Sequence, residues 1–363
     1  MFFVDVLQIL SFILPQSQVL QGCKNAKNID IIIAIVFTAA AQYIIISKNA
    51  ERREIVLQTS IPDFLSSMLV RQYGEETAER IFKGYMQIRP VTLRVNTLKS
   101  SPQSIEKALS DAGILYHGVR WSPDAFILET VRESEIRKLP VYENGEIYLQ
   151  SLSSMLPPLL LSPKEKECIL DMAAAPGGKT TQLAALSGGL AQITAGEKNK
   201  IRAERLKYNL EKQGAARVSL MITDSAKLDP LFSFDKILLD APCSGSGTLL
   251  FTDGGTGFQT DGGHFSKELI ARSAKTQEIL LKKALQLLKP GGEMIYSTCS
   301  ILKEENENIL KKVLPASRAE IVPIDHPMIQ ELPLLPAEIP GVCCVCPTDL
   351  YEGFFIAKIA KRK

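Results

Sequence analysis

From Cys168 onward the chain alternates short aliphatic runs with longer stretches that are apolar on one face and polar on the other. This rhythm restricts the fold more than any other feature, because strands separated by helix-length connections return to one sheet as parallel neighbours. The pattern predicts strands over 168–172, 190–197, 218–223, 236–240 and 293–297. Helices are predicted between them, including 200–213 and 267–288, the latter stopped by Lys-Pro-Gly-Gly at 289–292. A last strand is predicted in the run ending at Lys361. The expectation is an α/β fold with a doubly wound, mostly parallel sheet, filling 151–363.

The segment before it reads differently. Phe64, Leu65, Met68 and Leu69 recur at helical spacing, Gly74 stops that helix, and a second helix ends near Gln87. Val91 to Lys99 alternates like an edge strand, and Ser100 to Gly113 reads as a capped helix closed by glycine. Further strand-like pieces continue to Tyr148, so 60–150 is expected to be a small α+β unit. Residues 1–59 form a third, apolar and helical segment. Within it, 31–46 is broken only by Thr38, Gln42 and Tyr43, and at sixteen residues it falls short of the roughly 20 that span a bilayer. Packing on the body is the expectation for this run, with membrane contact by 31–46 as the alternative. The opening stretch holds Asp5 and no basic residue, which argues against a secretory signal.

At 363 residues, 45% hydrophobic and 23% charged, the chain is long enough for a large core and is not a disordered polymer. A net charge of +2 neither demands nor excludes a nucleic-acid partner, since a local basic face fits within a balanced total. Seven cysteines without framework spacing point to a reducing, cytoplasmic setting. Cys343, Cys344 and Cys346 read as buried strand residues rather than zinc ligands, because only three histidines exist and none is near them. No metal is expected, and a monomer is.

In doubly wound sheets ligands bind beyond the carboxyl ends of the strands, beside the first strand. The loop there is Asp171-Met-Ala-Ala-Ala-Pro-Gly-Gly-Lys179. Gly177 and Gly178 let backbone approach a ligand while opening the next helix. Gly178-Lys179-Thr180 resembles a phosphate-binding loop, but that motif needs glycine where Ala173 stands. Glu197, at the end of the second strand, is placed to accept from ribose hydroxyls, and Asp224, after the third, from an adenine amine. Each acid taken alone is equally a helix-capping carboxylate. Together they favour a nucleoside-containing cofactor, with S-adenosyl-L-methionine a better fit than NAD.

Asp240 and Cys243 end the fourth strand and Cys299 ends the fifth. Neighbouring strands in this topology would face the two thiols across one crevice. Carbon 5 of a pyrimidine is a poor nucleophile; a thiolate adding to carbon 6 makes it nucleophilic, and an acid near N3 and the exocyclic amine stabilises the developing charge. Asp240 is placed for that second task.

The segments Asp171 to Ala184, Asp240 to Thr248 and Tyr296 to Ser300 followed by Glu-Glu-Asn-Glu resemble the NOL1/NOP2/Sun family of S-adenosylmethionine-dependent RNA cytosine-C5 methyltransferases, over roughly 60–360. The resemblance implies a class I methyltransferase Rossmann-like domain behind a small RNA-binding extension at 60–150. It implies a cofactor site formed by Ala173, Ala174, Ala175, Pro176, Gly177, Gly178 and Lys179, with Glu197 at the ribose, Asp224 at the adenine side and Asp240 between cofactor and base. It places the attacking thiol at Cys299 and the thiol that aids product release at Cys243, so the candidate catalytic set is Cys299, Cys243, Asp240 and Lys179. The implied partner is RNA, ribosomal first and transfer RNA second. Arg71, Arg89, Arg94 and Lys99 are candidate phosphate contacts. Ala173 replaces a cysteine often found in the family's first loop, and Lys303 stands where a proline often follows. The glycine-rich 253–263 departs from the basic pattern of many relatives.

Overall fold

The computed structural model describes residues 61–250 and 265–363, with backbone alone at 259–260 and 263–264. The readings for 1–59, membrane contact by 31–46 among them, lie outside the described residues, as does most of the glycine-rich 253–263. Residues Pro62–Lys363 make one unit.

That unit starts with two helices, α1 (Asp63–Tyr73) and α2 (Glu75–Tyr85). Gly74 separates them at φ +80°, a conformation that a side chain would strain. Acids at 75 and 76 suit the amino end of α2, which buries Ala78, Ile81 and Tyr85. A four-stranded antiparallel sheet follows, built from β1 (Val91–Val95), β2 (Tyr116–Val119), β3 (Ser122–Leu128) and β4 (Ile147–Leu149) in the order β2-β3-β1-β4. Helix α3 (Pro102–Asp111) is capped by Ser101, whose hydroxyl accepts from the Ser104 amide, and Pro102 takes the first-turn position where no N–H is needed. It lays Ile105 and Leu109 against Leu93, Val95, Phe126, Leu128 and Ile147 to form a separate core.

β1 is an inner strand, not the edge strand its alternation suggests. Its polar face is buried as well, because those side chains bond into the rest of the molecule. Thr92 Oγ1 donates to the Gln150 carbonyl at 2.6 Å. Arg94, 3% exposed, donates to Gln150 Oε1 at 3.2 Å and to Thr181 Oγ1 at 3.2 Å. Asn96 Nδ2 donates to the carbonyls of Gly145 and Gln213, both at 2.8 Å. Lys99 Nζ reaches the carbonyls of Asn144 and Lys212 at 2.9 and 2.7 Å. Arg89 Nε donates to the Tyr351 carbonyl at 2.9 Å. Of the four cations read as phosphate contacts, Arg94 is buried and spends its donors inside the molecule, Arg89 is half-buried and lines the cavity described below, and Arg71 and Lys99 are exposed, Lys99 bonding neighbouring carbonyls at the surface.

The second sheet is doubly wound. β5 (Cys168–Asp171), β6 (Gln192–Gly196), β7 (Val218–Met221), β8 (Phe234–Asp240) and β11 (Leu288–Thr298) run parallel in the order β11-β8-β5-β6-β7. Between β8 and β11 lie the two-residue strands β9 (Gln259–Thr260) and β10 (Gly263–His264), paired with each other. β14 (Phe354–Lys361) is antiparallel to β11, and both β12 (Ala319–Val322) and β13 (Cys343–Val345) are antiparallel to β14. Cys343, Cys344 and Cys346 are buried at β13.

Helices cover the sheet: α4 (Leu152–Leu161), α5 (Gly178–Leu186), α6 (Lys200–Lys212), α7 (Lys267–Leu287) and α8 (Glu307–Val313). Ser151, Asn199 and Ser266 cap α4, α6 and α7 through side-chain oxygens. Lys-Pro-Gly-Gly does not follow α7 as a free stop. It lies inside the irregular start of β11, where the register shifts between Leu288 and Glu293 and Gly291 holds φ +78°. Ile237, Leu238, Leu239, Met294, Ile295 and Tyr296 in the two central strands are completely buried, each aliphatic one contributing about 1.5–3 kcal/mol. Their register pairs Asp240 with Ser297, which brings the ends of β8 and β11 level.

Candidate active site

A cavity of about 820 Å³ opens at those carboxyl ends. One wall is the loop 173–176 with Gly178 and Lys179, the base is Asp171, Asp240, Cys243 and Cys299, and the far wall is Thr92, Tyr148, Gln150 and Ser151. The site therefore lies between the doubly wound sheet and the four-stranded one.

The loop after β5 is held from α6. Arg202 Nη2 donates to the Ala175 carbonyl at 2.7 Å and Asn209 Nδ2 to the Pro176 carbonyl at 2.8 Å. Gly177 sits at φ +110°, and a Cβ there would lie 2.9 Å from Leu206. A Cβ on Gly178 would come within 3.0 Å of the Tyr148 ring. Gly177 is required by its positive φ, while at Gly178 a side chain would press on Tyr148.

Asp171, 1% exposed, ends β5 at the cavity floor. Its Oδ2 accepts from Thr180 Oγ1 at 2.7 Å, while Oδ1 has no hydrogen-bond partner among the described residues. Burial raises its pKa to about 6. An orphaned acceptor beside a glycine-opened helix fits a ligand that brings a cationic donor, and the ammonium of S-adenosylmethionine's amino-acid end is such a group. Glu197 and Asp224 do not line this cavity. Glu197, 5% exposed, accepts from the Asn199 amide at 2.8 Å, and Asp224 accepts from the Ala226 amide at 3.1 Å. Both make the capping contacts open to them from sequence. The close approach of Gly196 to Ser225, whose Oγ would lie 2.5 Å from an added Cβ, brings the ends of β6 and β7 together.

Lys179 and Asp240 form the charged centre. Lys179 Nζ lies 2.8 Å from Asp240 Oδ2, donates to Ser154 Oγ at 2.8 Å and sits 5.4 Å from the centroid of Phe354. Burial disfavours the ammonium, but the Asp240 carboxylate outweighs it and, with Cys299 adding to the effect, holds Lys179 above lysine's usual range. The other oxygen of Asp240 accepts from Ser297 Oγ at 2.7 Å, across the β8–β11 pairing.

The two thiols meet. Cys243 Sγ and Cys299 Sγ are 2.8 Å apart, both partly exposed and both free. The hydrogen bond to Cys299 and then burial push the Cys243 thiol well above its ordinary pKa, so Cys243 is the partner that keeps its proton. A raised Cys243 thiol 2.8 Å from Cys299, with the Lys179–Asp240 ion pair in the same cavity, suits chemistry in which one sulfur attacks while the other holds a proton.

The sequence reading missed Asp171, Ser154 and Glu305. Asp171 was visible as the acid directly ahead of the glycine loop. Ser154 reaches Lys179 from α4 and left no local signal. Glu305 lay in the Glu-Glu-Asn-Glu run that helps carry the family resemblance, but no role was read for it.

Comparison with known proteins agrees with this geometry. The family model described as 16S rRNA methyltransferase RsmB/F matches residues 158–360, and a ferredoxin-like domain model of the same group matches 61–134. Ribosomal RNA small subunit methyltransferase F of Shewanella piezotolerans is 32% identical over 76% of this chain and 58% of its own length. The human 28S rRNA (cytosine(4447)-C(5))-methyltransferase is 32% identical over 76% of this chain and 34% of its own. The chain thus spans little more than half the length of the bacterial relatives. A crystal structure of a methyltransferase homolog from Pyrococcus horikoshii is 35% identical with a TM-score of 0.69, covering 83% of this chain and 100% of that one. With a methyltransferase model across the doubly wound sheet and a ferredoxin-like model across the four-stranded one, the chain belongs to the RsmB/F family of 16S rRNA methyltransferases.

Proposed function

We propose that this protein transfers a methyl group from S-adenosyl-L-methionine to carbon 5 of a cytosine in ribosomal RNA, through a covalent adduct on Cys299. The observation that carries this reading is the pair of free thiols 2.8 Å apart beside the Lys179–Asp240 ion pair. Two cysteines at adjacent strand ends are superfluous for methylating an amine or hydroxyl, and they answer the two separate demands of carbon 5 chemistry. The relatives' names, a 16S family and a 28S enzyme, favour ribosomal over transfer RNA.

When bound, the cofactor supplies an electrophilic methyl group. Residues 173–179 form its loop and Asp171 receives its ammonium, while Glu197 and Asp224, at the neighbouring strand ends outside the cavity lining, take the ribose and adenine roles that the family resemblance gives them. The target base must leave its stack to reach a cavity of this depth. Cys299 attacks carbon 6 as thiolate, and the electron pair displaced onto carbon 5 takes the methyl group. Asp240, steadied by Lys179 and Ser297, serves the N3 and exocyclic amine edge where charge develops. Once Cys299 is bonded to carbon it no longer ties up Cys243. Cys243, partly exposed, then gives its proton to solvent and, as thiolate, removes the carbon 5 proton; the carbon 6–sulfur bond breaks, the ring is restored, Cys299 leaves as thiolate and Cys243 is again a thiol. Six free cysteines among the described residues accord with a reducing compartment, the cytoplasm.

The test is tritium release from cytosine-5-labelled ribosomal RNA in the presence of cofactor. Release that depends on cofactor and on Cys299 supports the reading. Cofactor binding without release or RNA-dependent transfer would make this a non-catalytic RNA-binding member of its fold.

A further inference from the structure

Behind the thiols lies a carboxylate to which the reaction as described gives no task. Glu305 is fully buried, in the turn between Cys299 and α8. Its Oε1 accepts from the Ser244 amide at 2.7 Å; its Oε2 accepts from Ser244 Oγ at 2.5 Å and Ser300 Oγ at 2.6 Å. Ser244 follows Cys243 and Ser300 follows Cys299, so one side chain joins the two thiol-bearing loops. The joint is extended by Ser246, whose hydroxyl lies 2.8 Å from Ser300 Oγ and accepts from the Ile301 amide at 3.0 Å. Glu305 is itself fixed, since Tyr296 Oη donates to its carbonyl at 2.6 Å.

No cation lies within ion-pair distance of Glu305 among the described residues. Burial raises its pKa, and the Ser244 and Ser300 hydrogen bonds oppose that rise. A buried carboxylate without a cation costs several kcal/mol relative to an apolar side chain, so it is a poor choice for filling space. It is suited to gathering three donors from two loops at one point, because a carboxylate accepts at every lone pair.

We propose that Glu305 is a positioning residue that holds Cys243 opposite Cys299, and that without it attack by Cys299 continues while release through Cys243 fails. This rests on the function proposed above. Glu305 touches neither sulfur; it acts through Ser244 and Ser300.

The test uses the full-length protein, ribosomal RNA and S-adenosylmethionine, reading kcat, KM for RNA, cofactor Kd and the fraction of protein carrying denaturation-resistant RNA. For Glu305→Ala the expected result is a kcat loss of roughly ten- to hundredfold, the scale of a misplacement of about 1 Å, with KM for RNA falling alongside kcat, cofactor Kd unchanged and adduct accumulating on Cys299. Glu305→Gln keeps a hydrogen-bonded bridge, because the serine hydroxyls can reverse, and recovers turnover without adduct. Wild-type turnover in Glu305→Ala, or a turnover loss without adduct at intact cofactor binding, overturns the inference. Should Glu305→Ala not fold, Ser300→Ala removes one arm alone: adduct with lowered kcat supports the inference, and wild-type behaviour overturns it. If the wild-type protein itself neither methylates RNA nor forms adduct in any variant, the functional reading fails, and this inference with it.

Discussion

At Asp171 a carboxylate is 1% exposed with one oxygen unpartnered, and its pKa is raised to about 6 by burial. Between the ordinary aspartate value near 4 and 6, the folded chain holds a proton that the unfolded chain has released. This group therefore lowers stability as pH rises through that window, by on the order of 3 kcal/mol once both states are ionised. Asp171→Asn is expected to raise Tm at pH 8, with the gain shrinking as pH falls toward 4.5, while calorimetric affinity for S-adenosylmethionine drops at least about tenfold. An equal Tm change at both pH values would contradict this account. The thiols make a second residue-scale prediction. Cys243→Ala incubated with RNA and cofactor should accumulate a covalent protein–RNA band on denaturing gels, and Cys299→Ala should form none; a band that persists without Cys299 would reverse the roles. Strand-end position told the sequence reader that both cysteines share a crevice. It did not distinguish them; the family resemblance assigned attack to Cys299, and the Lys179–Asp240 pair beside them is brought together only by folding. Glu305 stood in a motif of the resemblance, but its role could not be read there, as its donors at Ser244 lie 61 residues away.

Strands and helices of the doubly wound sheet were legible because apolar runs and caps are local. β1 was misread as an edge strand because its polar face looks solvated in sequence, whereas Thr92 and Arg94 spend their donors inside the molecule. The run Arg94 to Lys99 is a fastener between the four-stranded sheet, the first turn of α5 and the C-terminal end of α6. Asn96→Ala removes the two 2.8 Å bonds to Gly145 and Gln213 and leaves buried carbonyls unpaired. It is expected to cost about 2–3 kcal/mol in urea unfolding; a change below about 0.5 kcal/mol would contradict the fastener role. The first two helices brace the thiol loops from outside. Tyr85 Oη donates to the Ser246 carbonyl and Tyr73 Oη to the Ile301 carbonyl, both at 2.6 Å. Tyr85→Phe should lower kcat severalfold without altering cofactor affinity, measured in the same methyl-transfer assay; an unchanged kcat would show that α2 does not steady the Cys243 loop.

At the scale of the whole molecule, the cavity lies where the two sheets meet, with Tyr148 and Gln150 on one side and the thiols on the other. Periodicity reveals each sheet but not how one sits on the other, since that packing depends on single polar side chains such as Arg94 and Asn96. Under the proposed function, an extruded cytosine entering this junction would meet both the four-stranded unit and the loop 173–179. The central claim is cytosine-C5 methylation of ribosomal RNA, and it is tested most directly by incubating unmodified small-subunit ribosomal RNA with the protein and methyl-labelled S-adenosylmethionine, then digesting the RNA to nucleosides. The account predicts label in 5-methylcytidine, abolished by Cys299→Ala; label in any other nucleoside, or in 5-methylcytidine without Cys299, would contradict it.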